Sequence, residues 1–141
     1  MPKLTRQQLQ VLCRFRLREA SALIRARHYA GAYYIAGYAA ECALKACIAK
    51  QTNRHDFPDK NVAAKAWVHN LEELAKVAGV WPDLDRDMKT NAQLALNWSI
   101  VKDWKETSRY DTTRTSAEIR DFYSALVARR NGVLAWLRTK W

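Results

Sequence analysis

The spacing of apolar residues predicts a chain that is built from α-helices. After Thr5, apolar residues recur at steps of three and four, as in a helix with one buried face: they are Leu9, Leu12, Ala20, Leu23 and Ile24. Thr5 and Gln8 have the spacing of a capping box, in which each of the two side chains accepts a hydrogen bond from a free backbone N–H. We therefore predict a first helix that begins after Thr5 and continues to about His28.

The next segment, residues 29–51, is apolar on almost every side, and its main charged interruptions are Glu41 and Lys45. A helix that is apolar all round is normally buried. We expect this second helix to begin near Gly31 and to be the central helix of the fold. Gly37 costs about 1 kcal/mol relative to Ala inside a helix, so we expect it at a point of close packing.

Two shorter helices are predicted in the middle of the chain. The polar residues 52–66 indicate a loop, and Gly79 ends the short helix that follows it. Asn70 is the expected N-cap of that helix, whose apolar positions are Leu71, Leu74, Ala75 and Ala78. A further helix follows, for which Asp83 or Asp85 is the expected cap.

A last helix is predicted after the polar loop at 108–113, with Ser116 as its cap and Glu118 in its first turn. Its apolar stripe is interrupted only at Arg130 and consists of Ile119, Phe122, Tyr123, Leu126, Val127, Val133, Leu134 and Leu137. Only four Gly and three Pro occur, and no repeat or linker divides the chain. We predict an all-α fold, a single-domain up-and-down bundle of four to five helices over residues 1–141.

The net charge of +10 would attract a polyanion such as RNA or DNA. The Lys and Arg residues are spread along the whole chain, so charge alone leaves a merely basic, soluble domain as the alternative. Charge therefore makes nucleic-acid contact a hypothesis that needs a second argument.

Cys13, Cys42 and Cys47 fall within helical patterns, without the paired spacing of a zinc site. No cysteine lies four residues from any of the three histidines, and no Cys/His pair has the spacing of a zinc site, so neither a metal nor another cofactor is expected. The sequence also has no apolar run of the ~18 residues that a membrane span needs. We predict a reduced, cytoplasmic protein.

Three segments resemble the HEPN (higher eukaryotes and prokaryotes nucleotide-binding) family. Residues 37–46, GYAAECALKA, are similar to the family pattern G-Y-x-x-E-x-x-L-K-A. Residues 69–74, HNLEEL, resemble its H-x-L-x-x-L, and Arg109–Tyr110 precede the last predicted helix as in the family. The resemblance implies a helical homodimer from a bacterial or archaeal toxin–antitoxin, defence or stress system, with a minimal nucleotidyltransferase as a possible partner.

The RNase motif of active HEPN proteins is missing. That motif is an Arg, commonly followed by a polar residue, with a His four to six intervening residues later. Arg130 and Asn131 match its beginning, but Trp136 stands where a five-residue spacing would place the His. An indole has no basic nitrogen, so it cannot move the 2′-hydroxyl proton. We therefore expect a protein that binds nucleic acid or nucleotide, a nucleotidyltransferase partner, or both, without cleaving RNA.

Alternative roles remain open for the site residues. His69 is either a structural histidine or the base of an unconventional, metal-independent RNase, in which Tyr110 is the other candidate base. Arg109 or Arg130 would then hold the phosphate. Arg130 could instead be an arginine on the helix stripe that reaches solvent or a dimer seam.

Several further residues are candidates for contact with nucleic acid or nucleotide: Lys45, Lys102, Lys105, Arg109, Arg130 and Asn131. Trp98 and Trp104 either stack on bases beside these cations or pack in the core. The Glu41–Lys45 pair is either a local ion pair or the edge of a wet groove. A third hypothesis is a purely structural oligomerisation module, and a dimer is expected to bury the second or the last helix.

Overall fold

The computed structural model describes residues 4–52 and 67–141, and all regular structure within these two ranges is helical, which confirms the all-α class. The elements are α1 (Arg6–Arg25), α2 (Tyr29–Gln51), α3 (Leu71–Val77), α4 (Trp81–Thr90), α5 (Ala92–Val101), a 3-10 helix (Glu106–Tyr110), α6 (Ser116–Val127) and α7 (Val133–Arg138). Most of the loop predicted at 52–66 lies outside the described residues. None of the described helices is both long and apolar enough to cross a bilayer.

Helices α1 and α2 form a helical hairpin with a short connection. The capping box predicted at Thr5 and Gln8 is confirmed, since both reciprocal hydrogen bonds are present. Helix α1 ends at Arg25, earlier than expected, because Arg27 has a left-handed backbone with φ of 65° that cannot continue the helix. Helix α2 begins at Tyr29, two residues before the expected Gly31.

Helix α2 is the central helix, as predicted. Most of its residues are buried, and it contacts α1, α3, the 3-10 helix, α6 and α7. No single neighbour could cover so much apolar surface, as the sequence indicated, but several elements of the same chain do so together. The apolar surface of α2, one of the two helices that a dimer was expected to bury, is therefore covered largely by this chain itself.

Close packing at Gly37 explains the glycine. The indole of Trp104, only 1% exposed, lies directly against the Gly37 backbone, so that any Cβ there would overlap the ring. The same indole stacks on Tyr34, with a centroid distance of 6.1 Å and an interplanar angle of 24°. Gly37 thus allows the chain after α5 to approach the surface of α2.

The segment after Gly79 differs from the prediction. Gly79 ends the α3 region with φ of 72°, and Asn70 caps α3, both as expected. Asp83 and Asp85 are not caps, because α4 already begins at Trp81, where the following Pro82 suits the first turn of a helix. Two helices, α4 and α5, occupy the region where a single helix was predicted. The second one begins at Ala92 because the Asn91 side chain accepts a hydrogen bond from the Leu94 N–H and caps it.

The predicted last helix is also divided in two. Thr115, not Ser116, is the cap of α6, and it forms a capping box with Glu118. Helix α6 ends at Val127, and a turn at 128–132 separates it from α7. Arg130 lies in that turn and is exposed, so its assignment to the stripe of a continuous helix was wrong.

Hydrogen bonds to α5 explain the break between α6 and α7. The Asn91 side chain donates to Asn131 Oδ1 at 2.7 Å, and the Asn97 side chain donates to the Asn131 carbonyl at 2.8 Å. Asn131 has φ of 65°, a left-handed conformation that asparagine tolerates better than most residues. These tertiary bonds satisfy polar groups that a continuous helix would have paired internally.

We expect Gly37→Ala to lower the free energy of unfolding by about 1–3 kcal/mol, because the new methyl overlaps Trp104 in a packed core. Urea denaturation followed by circular dichroism measures this change. Gly31→Ala is the matched control in the same helix, since its Cβ would meet Leu23 Cδ1 at an ordinary 3.8 Å. The control should be neutral or stabilising by up to about 1 kcal/mol; equal stability of the two variants would contradict this account.

Candidate functional site

One face of α2 carries four of its polar residues. Tyr34, Tyr38, Glu41 and Lys45 follow one another at steps of four, three and four, which places them in a row along the helix. Glu41 is only 1% exposed, and Lys45 Nζ lies 3.5 Å from its Oε2. The predicted ion pair is therefore present, but its acid is buried and needs further partners.

His69 supplies the strongest partner of Glu41. It lies just before α3, and its Nδ1 is 2.5 Å from Glu41 Oε1. Its other ring nitrogen, Nε2, lies 3.0 Å from Oε2 of Glu106 in the 3-10 helix. Nδ1 forms a hydrogen bond with Glu41, whereas Nε2 and Glu106 are in close contact without a hydrogen bond between them. We call Glu41, Lys45, His69 and Glu106 the histidine cluster.

Arg109 and Tyr110 lie at the edge of the histidine cluster. Side chains three apart in a 3-10 helix project from the same side, so Arg109 follows Glu106 on one face. A hydrogen bond from the Arg109 guanidinium to the Tyr110 hydroxyl oxygen raises the pKa of Arg109, and Tyr34 of α2 adds to this shift. Tyr110 itself is 73% exposed, and the Arg109 guanidinium lies 4.8 Å from its ring centroid.

Two aromatic residues complete the surroundings of Lys45 and Glu41. Trp67 is exposed, and Lys45 Nζ lies 5.7 Å from its ring centroid, within the range of a cation–π contact. Burial raises the pKa of the Tyr38 hydroxyl, and the Glu41 carboxylate raises it further. Lys45 therefore lies between a buried carboxylate and an exposed aromatic ring, on the rim of the site.

The three separated segments that suggested a site thus meet at one place. Glu41 and Lys45 come from the second helix, His69 from the segment before α3, and Arg109 from the 3-10 helix. Sequence reasoning missed Glu106, because it lies in an irregular segment where no helical period relates it to His69. Trp67 was missed as a member of the site for the same reason.

The candidates Arg130 and Asn131 lie in the turn between α6 and α7, away from the histidine cluster. Asn131 is engaged by Asn91 and Asn97, so its side chain serves to hold the turn that also contains Arg130. The Trp136 indole N–H donates to Asp87 Oδ2 at 2.9 Å, which ties α7 to α4. These contacts place the incomplete RNase motif against α4 and α5, whereas His69 contacts α2 and the 3-10 helix.

Lys102 and Lys105 are exposed, as a contact with nucleic acid would require. The indole rings of the neighbouring Trp98 and Trp104, in contrast, are buried. Trp104 is 1% and Trp98 3% exposed, so the hypothesis that these two indoles stack on bases is wrong, and both pack in the core. Any ligand at this surface would therefore be held by cations and not by these rings.

The described residues contain no group of three or more His, Cys, Asp and Glu side chains arranged to hold a metal ion. His55 lies outside the two described ranges. All three thiols are buried, which raises the pKa of Cys13 to about 12 and those of Cys42 and Cys47 to about 11. Neutral thiols of this kind are poor ligands and nucleophiles.

Comparisons with protein-family models, with curated proteins and with solved structures find no match to this chain.

We expect His69→Ala to lower the free energy of unfolding by about 2–3 kcal/mol at pH 7, because it removes the closest partner of a buried carboxylate. Glu106→Ala is the control, because it removes the carboxylate that contacts the other ring nitrogen of His69, Nε2. Glu106 is 42% exposed, so its loss should cost less than about 1 kcal/mol. Urea denaturation of the two variants tests this order, and a larger loss for Glu106→Ala would refute it.

Proposed function

We propose that this chain is a HEPN-type helical protein that binds RNA or nucleotide, without cleaving RNA, as part of a bacterial or archaeal toxin–antitoxin, defence or stress system. One observation carries the proposal. The three segments that resemble the family, which lie far apart in the sequence, supply Glu41, His69 and Arg109 to one region of the structure. A homodimer and a minimal nucleotidyltransferase partner belong to the proposal through the resemblance.

The contacts of the last two helices support a non-cleaving protein. Trp136 has no basic nitrogen, and its N–H is used by Asp87. At the other site, each ring nitrogen of His69 lies within 3.0 Å of a carboxylate oxygen, which occupies the position that an RNA hydroxyl would need. In this role His69 is a structural residue that forms a hydrogen bond with the buried Glu41 carboxylate.

Exposed cations near the 3-10 helix support binding to phosphates. Lys102, Lys105 and Arg109 are all exposed and lie within eight consecutive residues. None of the three forms an ion pair with another residue of the described ranges, so their charges are available to a ligand. Phosphate contacts of this type depend strongly on salt and weakly on sequence.

We expect labelled single-stranded RNA to bind at ~50 mM salt, and Lys102→Gln/Lys105→Gln to weaken this binding by about tenfold, because two phosphate contacts are lost. Fluorescence anisotropy over a range of salt concentrations measures the affinity and should show the salt slope falling by about one per contact. The control, Arg86→Gln/Lys89→Gln, removes the same charge from α4, where acids already pair both cations. Absence of binding to RNA and DNA at this salt would instead favour a purely structural oligomerisation module.

A second function, a metal-independent RNase, is favoured by the orientation of His69. The buried Glu41 holds Nδ1, while Nε2 points to the partly exposed Glu106. A carboxylate on one nitrogen fixes the tautomer and leaves the other nitrogen for proton transfer, once Glu106 moves away. His69 would then accept the 2′-hydroxyl proton, and Arg109 would stabilise the charge on the phosphate.

This alternative predicts RNA cleavage in EDTA that His69→Asn and Arg109→Gln each reduce by about a hundredfold or more. Gel analysis of labelled RNA measures the cleavage, and circular dichroism confirms that the variants fold. Arg130→Ala is the comparison, because Arg130 lies in the turn beside α5 and should leave this activity unchanged. Intact RNA after long incubation with the unaltered protein would exclude the alternative.

A further inference from the structure

A basic cleft opens where α1 ends, α2 begins and α6 passes beside them. Its volume is about 520 Å³, which falls in the size range of pockets for small molecules. The polar and aromatic residues that matter for its chemistry are Arg25, Arg27, Tyr29, Arg120, Tyr123 and Ser124. Among the residues that the structure describes, no carboxylate lines the cleft. The cleft is separate from the histidine cluster, which lies further along α2.

Three arginines give the cleft its charge. Arg25 is in the last turn of α1, Arg27 in the connection to α2, and Arg120 on α6. All three are exposed, and within the described part of the chain none of them forms an ion pair with an acid. Like charges gathered without a counter-ion raise the local potential, and an anion relieves their repulsion.

The backbone fixes where these arginines lie. The left-handed conformation of Arg27 turns the chain sharply, and hydrogen bonds from the Arg27 and His28 amides to the carbonyls of Ile24 and Leu23 close the turn. Arg25 and Arg27 are thereby held at the connection between α1 and α2, and both line the cleft together with Arg120. A guanidinium presents its N–H donors as a planar fork that matches two oxygens of a phosphate.

Two tyrosines add a surface for an aromatic ligand. Tyr29 and Tyr123 are partly buried against the core, so their rings are held in place as they line the cleft. Tyrosine rings stack on nucleobases irrespective of sequence. Ser124 adds a hydroxyl that can donate to or accept from a sugar or a base.

We propose that this cleft binds a nucleoside phosphate, with the arginines on the phosphate and a tyrosine ring on the base. Two sources share this chemistry, a free nucleotide and the 5′-phosphorylated end of an RNA. The inference deepens the proposed function by giving nucleotide binding a site, and it rests on that proposal for the class of ligand. RNA binding through Lys102 and Lys105 would survive loss of the cleft, so the two can fail separately.

Isothermal titration calorimetry tests the proposal with ATP, adenosine and inorganic pyrophosphate, and with an octaribonucleotide that carries a 5′-phosphate or a 5′-hydroxyl. We expect ATP, the 5′-phosphorylated RNA or both to bind, and adenosine not to bind. Arg25→Gln/Arg120→Gln should weaken the observed binding by at least about tenfold, since two charge-assisted contacts are lost. Arg18→Gln is the control, an exposed arginine of α1 outside the cleft, and should change affinity by less than about twofold.

A second variant tests the proposed stacking of a tyrosine ring on the base of the nucleotide. Tyr123→Leu should weaken ATP binding and leave pyrophosphate binding unchanged, because only the nucleotide has a ring to stack. The proposal is overturned if neither ATP nor 5′-phosphorylated RNA binds, or if Arg18→Gln weakens binding as much as the double variant. It is also overturned if pyrophosphate binds as tightly as ATP, since the cleft would then recognise a phosphate alone.

Discussion

Covering α2 on every side is the constraint on which the rest of the structure depends. Its residues are apolar around almost the whole circumference, and exposing them to water would forfeit the main favourable term in folding. Because one neighbour cannot cover such a helix, the other elements pack around it from several directions. The small residues of α2 permit this close approach, most clearly at Gly37, where the Trp104 indole lies on the backbone.

Glu41 is the exception on this helix, and its neutralisation organises the surrounding segments. A buried carboxylate without partners would be too costly, so Lys45 and His69 are drawn to it. His69 then reaches Glu106, which links the segment before α3 to the 3-10 helix. A histidine in this arrangement stabilises the fold and, once Glu106 moves away, also has the orientation of an acid–base residue. The contact of each ring nitrogen with a carboxylate is why binding without cleavage is the preferred function.

The distribution of charge also supports the binding of a ligand that carries phosphates. Two groups of exposed cations are relevant to binding: Lys102, Lys105 and Arg109 near the 3-10 helix, and the three cleft arginines at the junction of α1, α2 and α6. Neither group is neutralised by acids of the described residues, in contrast to α4, where Arg86 and Lys89 pair with aspartates. Unpaired cations on two surfaces suit ligands with several phosphates more than they suit an inert scaffold.

The amino-acid sequence by itself determined the helical class, the central position of α2, the capping of α1 and α3, and the ion pair of Glu41 with Lys45. These features depend on local periodicity and on short-range hydrogen bonds, which can be recognised from neighbouring residues. Only the tertiary structure decided that Asn131 breaks the last helix, because its partners Asn91 and Asn97 lie on α5. It also brought Glu106 to His69 and Arg120 to Arg25, since contacts between distant segments follow from packing around α2 and leave no periodic signal in the chain.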